Sequence, residues 1–396
     1  MKDEKKAPKL RFKGFTDDWE QCKLGDVAKI TMGQSPNSKN YTDNPKDHIL
    51  VQGNADMKDG QVHPRIWTTE ITKIADKGDL ILSVRAPVGD IGKTSYDVVI
   101  GRGVAAIKGN EFIFQLLKRM KTVGYWTKYS TGSTFESINS LEINNAVINL
   151  PKEHEQNKVG KILSYMDHAI TLHEEKKRQL ERLKSALLKK MFADKSGYPA
   201  VRFEGFGGKW DQCKLGNVGT FRGGFGFPEN EQGNIDGIAF YKVSDMNDSC
   251  NTLTMRKASN YVTSSQISKN KWKPILNQNI IFAKVGAAVY LERKRKAMGP
   301  FLLDNNMMAF QPKDADIDYI YYVFQRLRIS KHAQVGTLPS LNASELRNIT
   351  IYIPSLNEQK AVADLMVSLD HTIILYDFKL ELLKKLKSSL LQHMFI

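Results

Sequence analysis

Several groups in this sequence look like the beginnings of catalytic sites, and each lacks a part that its chemistry requires. Gly92-Lys93-Thr94 has the end of a phosphate-binding loop, but the glycine needed five positions earlier is Pro87, which restricts the backbone that would wrap the phosphate. Gly101-Arg102-Gly103-Val104-Ala105-Ala106 mimics a dinucleotide fingerprint. Its continuation, Val104–Ile107 and then Gly109, is β-like where a helix is required. Methyl transfer to a base amine would call for an Asp/Asn-Pro-Pro-aromatic motif to hold the amine, and none of the 13 prolines adjoins another. No His-Glu-x-x-His is present, and the eight histidines do not cluster at ligand spacing. Cys22, Cys213 and Cys250 are too few and too scattered for a zinc site or a disulfide framework. The residues therefore predict a non-enzyme with no metal site.

The elements that would carry a binding function come from composition and pattern. The chain has 396 residues, with 58 Lys+Arg against 43 Asp+Glu and a net charge of +15. At roughly 150 residues per domain this length suggests two or three domains. The positive surplus favours a polyanionic partner, nucleic acid or an anionic membrane surface. The membrane is the weaker option, because no apolar run approaches the ~18–20 residues of a spanning helix. The start, Met-Lys-Asp-Glu-Lys-Lys, leads into no signal-peptide core. The sparse cysteines fit a reducing cytoplasm.

The chain is internally duplicated. Residues 8–25 read PKLRFKGFTDDWEQCKLG and residues 199–216 read PAVRFEGFGGKWDQCKLG, at a constant offset of 191. Arg11/Arg202, Phe12/Phe203 and Trp19/Trp210 coincide, and so do Cys22/Cys213, which reads as a buried apolar position. A second block, INLPKEHEQNKVGKILSYMDHAI around Pro151, returns as IYIPSLNEQKAVADLMVSLDHTI around Pro354, now at an offset of 203. Between the blocks lie regions rich in Gly, Asn, Ser and Thr. They have β-like runs at Asp79–Val84, Val98–Ile100 and Asn279–Lys284, and helix expected near Glu111–Val123 and Ile317–Ile329. Each copy is thus a mixed α+β region followed by a proline and about 40 helical residues, the second opened by a Ser355-x-x-Glu358 capping box.

The helical stretches carry heptads. In the second, Val362, Leu369, Tyr376, Leu383 and Leu390 form one row and Met366, Ile373, Leu380, Lys387 and Met394 the other. The first repeats this with Val159, Leu163, Met166, Ile170, Leu180, Leu187 and Met191, and has polar His173 and Lys177 at seam positions. A 3.5-residue period held this long predicts coiled-coil pairing; a helix packed on its own globular region is the alternative. Lys177 and Lys387 read as polar register-setters or as exposed rim positions. His168 and His371, beside Asp167 and Asp370, fall off the seam and predict a solvated helix face. A 40-residue helix spans about 60 Å, and Ala193–Tyr198 is too short to fold back over that distance. The second helix must therefore run back antiparallel. The expected product is a dumbbell with a pseudo-two-fold axis; parallel pairing with another chain would instead need a dimer.

The Glu-Gln step after each proline, with the Leu/Met-x-x-x-Asp-His spacing beyond it, resembles the specificity (S) subunits of type I restriction–modification systems over essentially the whole chain. The helical signature stands as Pro151, Glu155, Gln156, Ile162, Leu163, Met166, Asp167, and again as Pro354, Glu358, Gln359, Leu365, Met366, Leu369, Asp370. The first copy departs from the second at Met166, where the second has Leu369. Thr31-Met-Gly-Gln-Ser-Pro36, Gly78-Asp79-Leu-Ile and Gly132-Ser133-Thr134 are similar to recognition-domain signatures. The second copy departs from the first of these with Arg222-Gly-Gly-Phe-Gly-Phe227, so that segment would read a different sequence or sit differently.

The resemblance implies an α+β fold class, with two mixed α/β target-recognition domains joined by two long antiparallel coiled-coil helices. The expected boundaries are 1–150 and 194–353 for the recognition domains, and 151–193 and 354–396 for the helical spacers. Each domain would read one half of an asymmetric bipartite site in double-stranded DNA, with phosphate contacts for affinity and base edges for sequence. The rod would set the half-site spacing. The helices would dock two methyltransferase subunits, which flip adenines for N6 methylation with S-adenosylmethionine. A restriction–translocase subunit using ATP and Mg would join them, so those cofactors belong to the partners.

Expected DNA contacts in the first domain are Gln34, Ser35, Lys39, Tyr41, Arg85, Lys93, Arg102, Lys128, Thr131 and Ser133. In the second they are Arg222, Phe225, Lys284, Arg293, Lys294, Arg295, Lys296 and Lys331. Amide and guanidinium groups pair with base edges, whereas lysines mostly position the backbone. The run Arg293–Lys296 reads as a phosphate contact or as a solvated charge run. Trp19 and Trp210, beside an apolar strand in both repeats, read as core anchors. Two other readings stay open on the residues alone: a stand-alone DNA-binding regulator, and a coiled-coil scaffold with incidental charge.

Overall fold

The computed structural model describes residues 7–129, 137–334, 336 and 338–396. The chain divides into two compact units, Met1–Glu175 with Phe378–Ile396, and Lys176–Asp377, so that the division falls within both long helices.

In the first unit the duplicated segments meet as a two-stranded antiparallel ribbon. Glu20–Lys23 pairs with Val147–Leu150, placing Cys22 opposite Ile148. The second unit repeats it with Asp211–Lys214 against Thr350–Ile353, and Cys213 opposite Ile351. The two sequence blocks of each repeat are therefore the two strands of one ribbon. Between them the first unit builds a six-stranded sheet in the order Ile30–Met32, Val104–Ile107, Leu80–Ser83, Ile91–Lys93, Gln61–Val62, Met57–Lys58. A five-stranded sheet is centred on His48–Val51 and Val98–Ile100. Leu80–Ser83 is buried at every position, as a strand covered on both faces must be. One helix, Glu111–Thr122, is opened by Asn110, whose side chain accepts from the Ile113 amide.

The second unit has a five-stranded sheet ordered Gly219–Gly223, Met307–Pro312, Asn279–Ala283, Lys294–Ala297, Thr254–Met255, a three-stranded sheet, and the helix Ile317–Arg326 capped by Asp316. The sequence-expected helix to Ile329 ends at Arg326; Ile329–His332 forms a separate short 3-10 turn.

The long helices are Glu153–Lys190 and Leu356–His393. Within the first unit Asp167 binds Lys387 and Glu174 lies 2.5 Å from Lys384. Within the second, Lys177 lies 2.6 Å from Asp377 and Lys184 binds Asp370. In both, positions rise along one helix as they fall along the other, so the helices pair antiparallel.

The ends of the heptad rows enter the hydrophobic cores of the two units. Val159 and Leu163 share a core with Trp19, Phe112, Met394 and Phe395; Leu390 packs against it. Val362, Met366 and Leu369 share another with Trp210, Tyr319, Met191 and Phe192, flanked by Leu180 and Leu187. Leu380 is buried, and Met166, Ile170, Ile373, Tyr376 and Leu383 are half-buried. Each core is thus completed by the C-terminal end of the opposite helix. Phe395 sits 5.0 Å from Phe112, and Phe192 stacks at 5.3 Å on Tyr319. Main-chain contacts repeat the pattern: Leu10 donates to the His393 carbonyl at 2.8 Å, and Val201 to that of Lys190 at 2.9 Å. Trp19 and Trp210 are core anchors, packed edge-on against Phe112 and Tyr319.

Candidate nucleic-acid interface

The helical motif residues do structural work that fixes each α/β region to its helix. Glu155 is 1% exposed and accepts both arms of Arg11 at 2.6 and 2.7 Å, a fork that satisfies a buried carboxylate. Glu358 and Arg202 repeat it at 2.7 Å, and Arg202 also donates to the Gly207 and Gly208 carbonyls. Gln156 donates to the Pro151 carbonyl and accepts from Asn110; Gln359 donates to that of Pro354 and accepts from the Asp316 amide. Asp167 receives Gln115, Lys118 and Lys387, whereas Asp370 receives Tyr322 and Lys184. Burial alone would raise the Asp167 carboxyl; Lys118 and the hydrogen bonds from Lys387 and Gln115 outweigh it and hold it below the usual carboxylate range. Burial, with Lys118 close by, lowers the Lys387 ammonium. Burial raises the Tyr322 hydroxyl, and the Asp370 charge adds to it. Glu155, Glu358, Asp167 and Asp370 therefore form a structural frame.

In the first unit the expected DNA contacts fall into separate settings. Gln34, Ser35 and Arg102 come together at the end of the six-stranded sheet: Ser35 Oγ accepts from the Arg102 amide at 3.1 Å, and Gln34 donates its amide to the Ile100 carbonyl at 2.8 Å. Gln34, Lys39, Arg85 and Arg102 are exposed and Tyr41 is half-buried. Lys93 is held 2.9 Å from Glu111, beside the helix Glu111–Thr122. Thr131 and Ser133 lie outside the described residues, as does the side chain of Lys128.

In the second unit the basic run is largely spent on the protein itself. Lys294 is 1% exposed and its ammonium is bound by Glu292 and the Leu327 carbonyl, which corrects the expectation of a phosphate contact. The reason is that the strand is covered on both faces: Lys294 and Lys296, on one side, meet Leu327 and Asp318 at the two ends of the helix Ile317–Arg326, while Ala297, on the other side, joins a hydrophobic core. Burial lowers the Lys294 ammonium against the opposing pull of Glu292. Lys296 is paired with Asp318, Arg295 donates to the Asn251 carbonyl at 2.6 Å, and Arg293 binds Asn247. Arg222 is tied to the Lys273 carbonyl. Phe225 lies 6.3 Å from Trp272, Lys284 is half-buried and Lys331 is exposed.

Gln52 and Lys242, each directly after a strand, were not expected from the sequence. Gln52 donates its amide to Asp56 and Lys242 to Asp245, both at 2.8 Å. The only signal would have been an Asp three or four residues downstream of each, which insertions between the repeats conceal.

Among the described residues no three His, Cys, Asp or Glu side chains are grouped to hold a metal ion, and no helix is long and apolar enough to cross a membrane.

Comparison with known proteins agrees with this architecture. Residues 16–182 and 207–385 match the family described as type I restriction modification DNA specificity domain. The chain is 23% identical to the type I restriction enzyme MjaIX specificity subunit of Methanocaldococcus jannaschii over 94% of this chain and 92% of that protein. It is 32% identical to the putative MjaX specificity subunit of the same organism, over 45% of this chain and 44% of that one, so this match spans less than half of the relative's length. The fold is similar to that of a type I restriction–modification S subunit from M. genitalium, with a TM-score of 0.64 at 16% identity over 98% of this chain and 99% of that one.

Proposed function

This chain belongs to the type I restriction–modification DNA specificity family and is the DNA specificity subunit, a non-catalytic component, of such a system; on that premise we propose that its two recognition domains read the two unequal halves of one bipartite duplex target. The domains are residues 1–150 and 194–353, and the helices 151–193 and 354–396 space them and dock two methyltransferase subunits. Those subunits supply S-adenosylmethionine chemistry on adenine. Restriction–translocase subunits using ATP and Mg complete the assembly, which works in the cytoplasm.

The observation that carries this reading is a reciprocal contact: Asp167 with Lys387 is the same pairing as Asp370 with Lys184, with the helices exchanged. A chain built this way offers two copies of one frame to two half-sites. The test is reconstitution with the methyltransferase subunits of its system and mapping of modified adenines. A two-part motif whose first half alone changes when residues 1–150 are replaced by another recognition domain supports the proposal. A motif unaltered by that exchange overturns it.

A further inference from the structure

We propose that Gln34, Gln52 and Arg102 are the base-reading set of the first domain, and that Phe225, Lys242 and Asn305 are its counterpart in the second. The inference rests on the reading that each domain binds one half-site.

The two sets occupy the same places on one main-chain scaffold. Gln34 donates to the Ile100 carbonyl at 2.8 Å, as Phe225 does to Leu303 at 2.7 Å. Gly101 donates to Val51 at 2.8 Å, as Asp304 does to Tyr241 at 2.9 Å, which makes the next residues along, Gln52 and Lys242, equivalent. Both donate their own amides to an aspartate, Asp56 or Asp245. Val84 donates to Gly103 at 2.9 Å and Lys284 to Asn306 at 2.8 Å, which brackets Arg102 against Asn305.

A close approach of backbones holds this scaffold in both copies. A Cβ on Gly33 would lie 2.1 Å from the Gly101 carbonyl oxygen, and one on Gly224 would lie 2.0 Å from that of Asp304. Only glycine permits either contact. The scaffold is therefore repeated, down to its glycine and its aspartate, while the three side chains mounted on it are exchanged. A purely structural role would be met by the same side chains in both copies. Unequal half-sites require different ones.

The exchanged groups have base-reading chemistry. Gln34 and Arg102, at the end of the six-stranded sheet, are exposed, and Gln52, at the end of a strand of the five-stranded sheet, is half-buried; Gly101 lies against Gln52, so two amides and a guanidinium sit where the two sheets meet. An amide matches the adenine N6/N7 edge and a guanidinium the guanine O6/N7 edge. In the second domain Asn305 is exposed and suits adenine; Lys242 is half-buried with its ammonium 2.6 Å from Gln232, a contact it would exchange for guanine, and the half-buried Phe225, packed on Trp272, offers its remaining apolar face to a thymine methyl.

The test uses the full chain assembled with its methyltransferase subunits on a randomised double-stranded DNA library, with modified adenines read by sequencing. Arg102→Ala and Gln34→Ala should each relax one position of the first half-site, lowering discrimination there about 5- to 140-fold, and leave the second half-site intact. Asn305→Ala should do the reverse. Arg102→Lys keeps the charge but loses the fork, so discrimination should fall while the salt dependence of binding holds. Both half-sites unchanged in these variants, or a uniform affinity loss with the motif preserved, overturns the assignment. Absence of any two-part motif with the unsubstituted chain would instead refute the half-site reading beneath it.

Discussion

Asp167 on the first long helix grips Lys387 on the second, and Lys118 and Gln115 of the recognition region close on the same carboxylate. One side chain thereby ties three elements together, and its counterpart Asp370 does so with Lys184 and Tyr322.

Removing Lys387 should therefore loosen more than a surface ion pair. Lys387 is 12% exposed and Asp167 31%. Lys387→Ala should cost about 1–2 kcal/mol, between the values for exposed and buried pairs. The exchange Asp167→Lys with Lys387→Asp should recover part of that. Urea midpoints of the four proteins of this double-mutant cycle decide it. The Asp167 carboxyl is held below its ordinary range, so its contribution is complete above the unfolded value and is lost as the pH falls through the folded one. The gap between the original chain and Asp167→Asn should close below about pH 4.

Arg11→Ala should be more damaging. It strands the carboxylate of Glu155, which is 1% exposed, and a buried charge stripped of its partner costs about 3–5 kcal/mol. Arg11→Ala with Glu155→Gln should be milder than Arg11→Ala alone. Thermal unfolding of the single and double variants measures the difference, and equal losses would contradict it.

Phe395→Ala should open the first recognition core and Phe192→Ala the second. Both rings are 3% exposed and pack on aromatic neighbours, so each truncation should cost about 3–5 kcal/mol. Limited proteolysis should show earlier cleavage within 7–129 for the first variant and within 194–353 for the second.

Salt titration separates phosphate contacts from internal ones. Lys39 and Lys331 are exposed, and replacing either by Ala should lower the slope of log K against log salt by about 1. Lys294→Ala should leave that slope unchanged and lower stability instead, because its ammonium lies inside the second domain between Glu292 and Leu327. A reduced slope for Lys294→Ala would return that lysine to the DNA surface.

The duplication and the long helices were legible because both announce themselves by period: blocks that return at 191 and 203, and apolar residues that return every seven. The core-completing rings were not. Phe192 and Phe395 sit beyond the heptad rows, and their partners Tyr319 and Phe112 are on helices distant in sequence. Charge hid the fate of Lys294, since a run of four cations reads as a surface although the strand Lys294–Ala297 is covered by the protein on both faces. Gln52 and Lys242 escaped for a third reason. Their equivalence exists in main-chain hydrogen bonds, which leave almost no trace in side-chain identity.

The paired contacts Leu10 to His393 and Val201 to Lys190 also differ in how they are tethered. Lys190 and Val201 are joined by a short stretch of chain, so if the helices part, Phe192 stays at high effective concentration beside its domain and can redock at once. Leu10 and His393 are nearly a full chain length apart, and the entropy of reclosing such a loop is larger. Phe395 therefore depends on the helix pair for its proximity to Phe112. Separation of the helices should be felt unequally: the first recognition domain loses a piece of its own core, whereas the second keeps its piece on a leash.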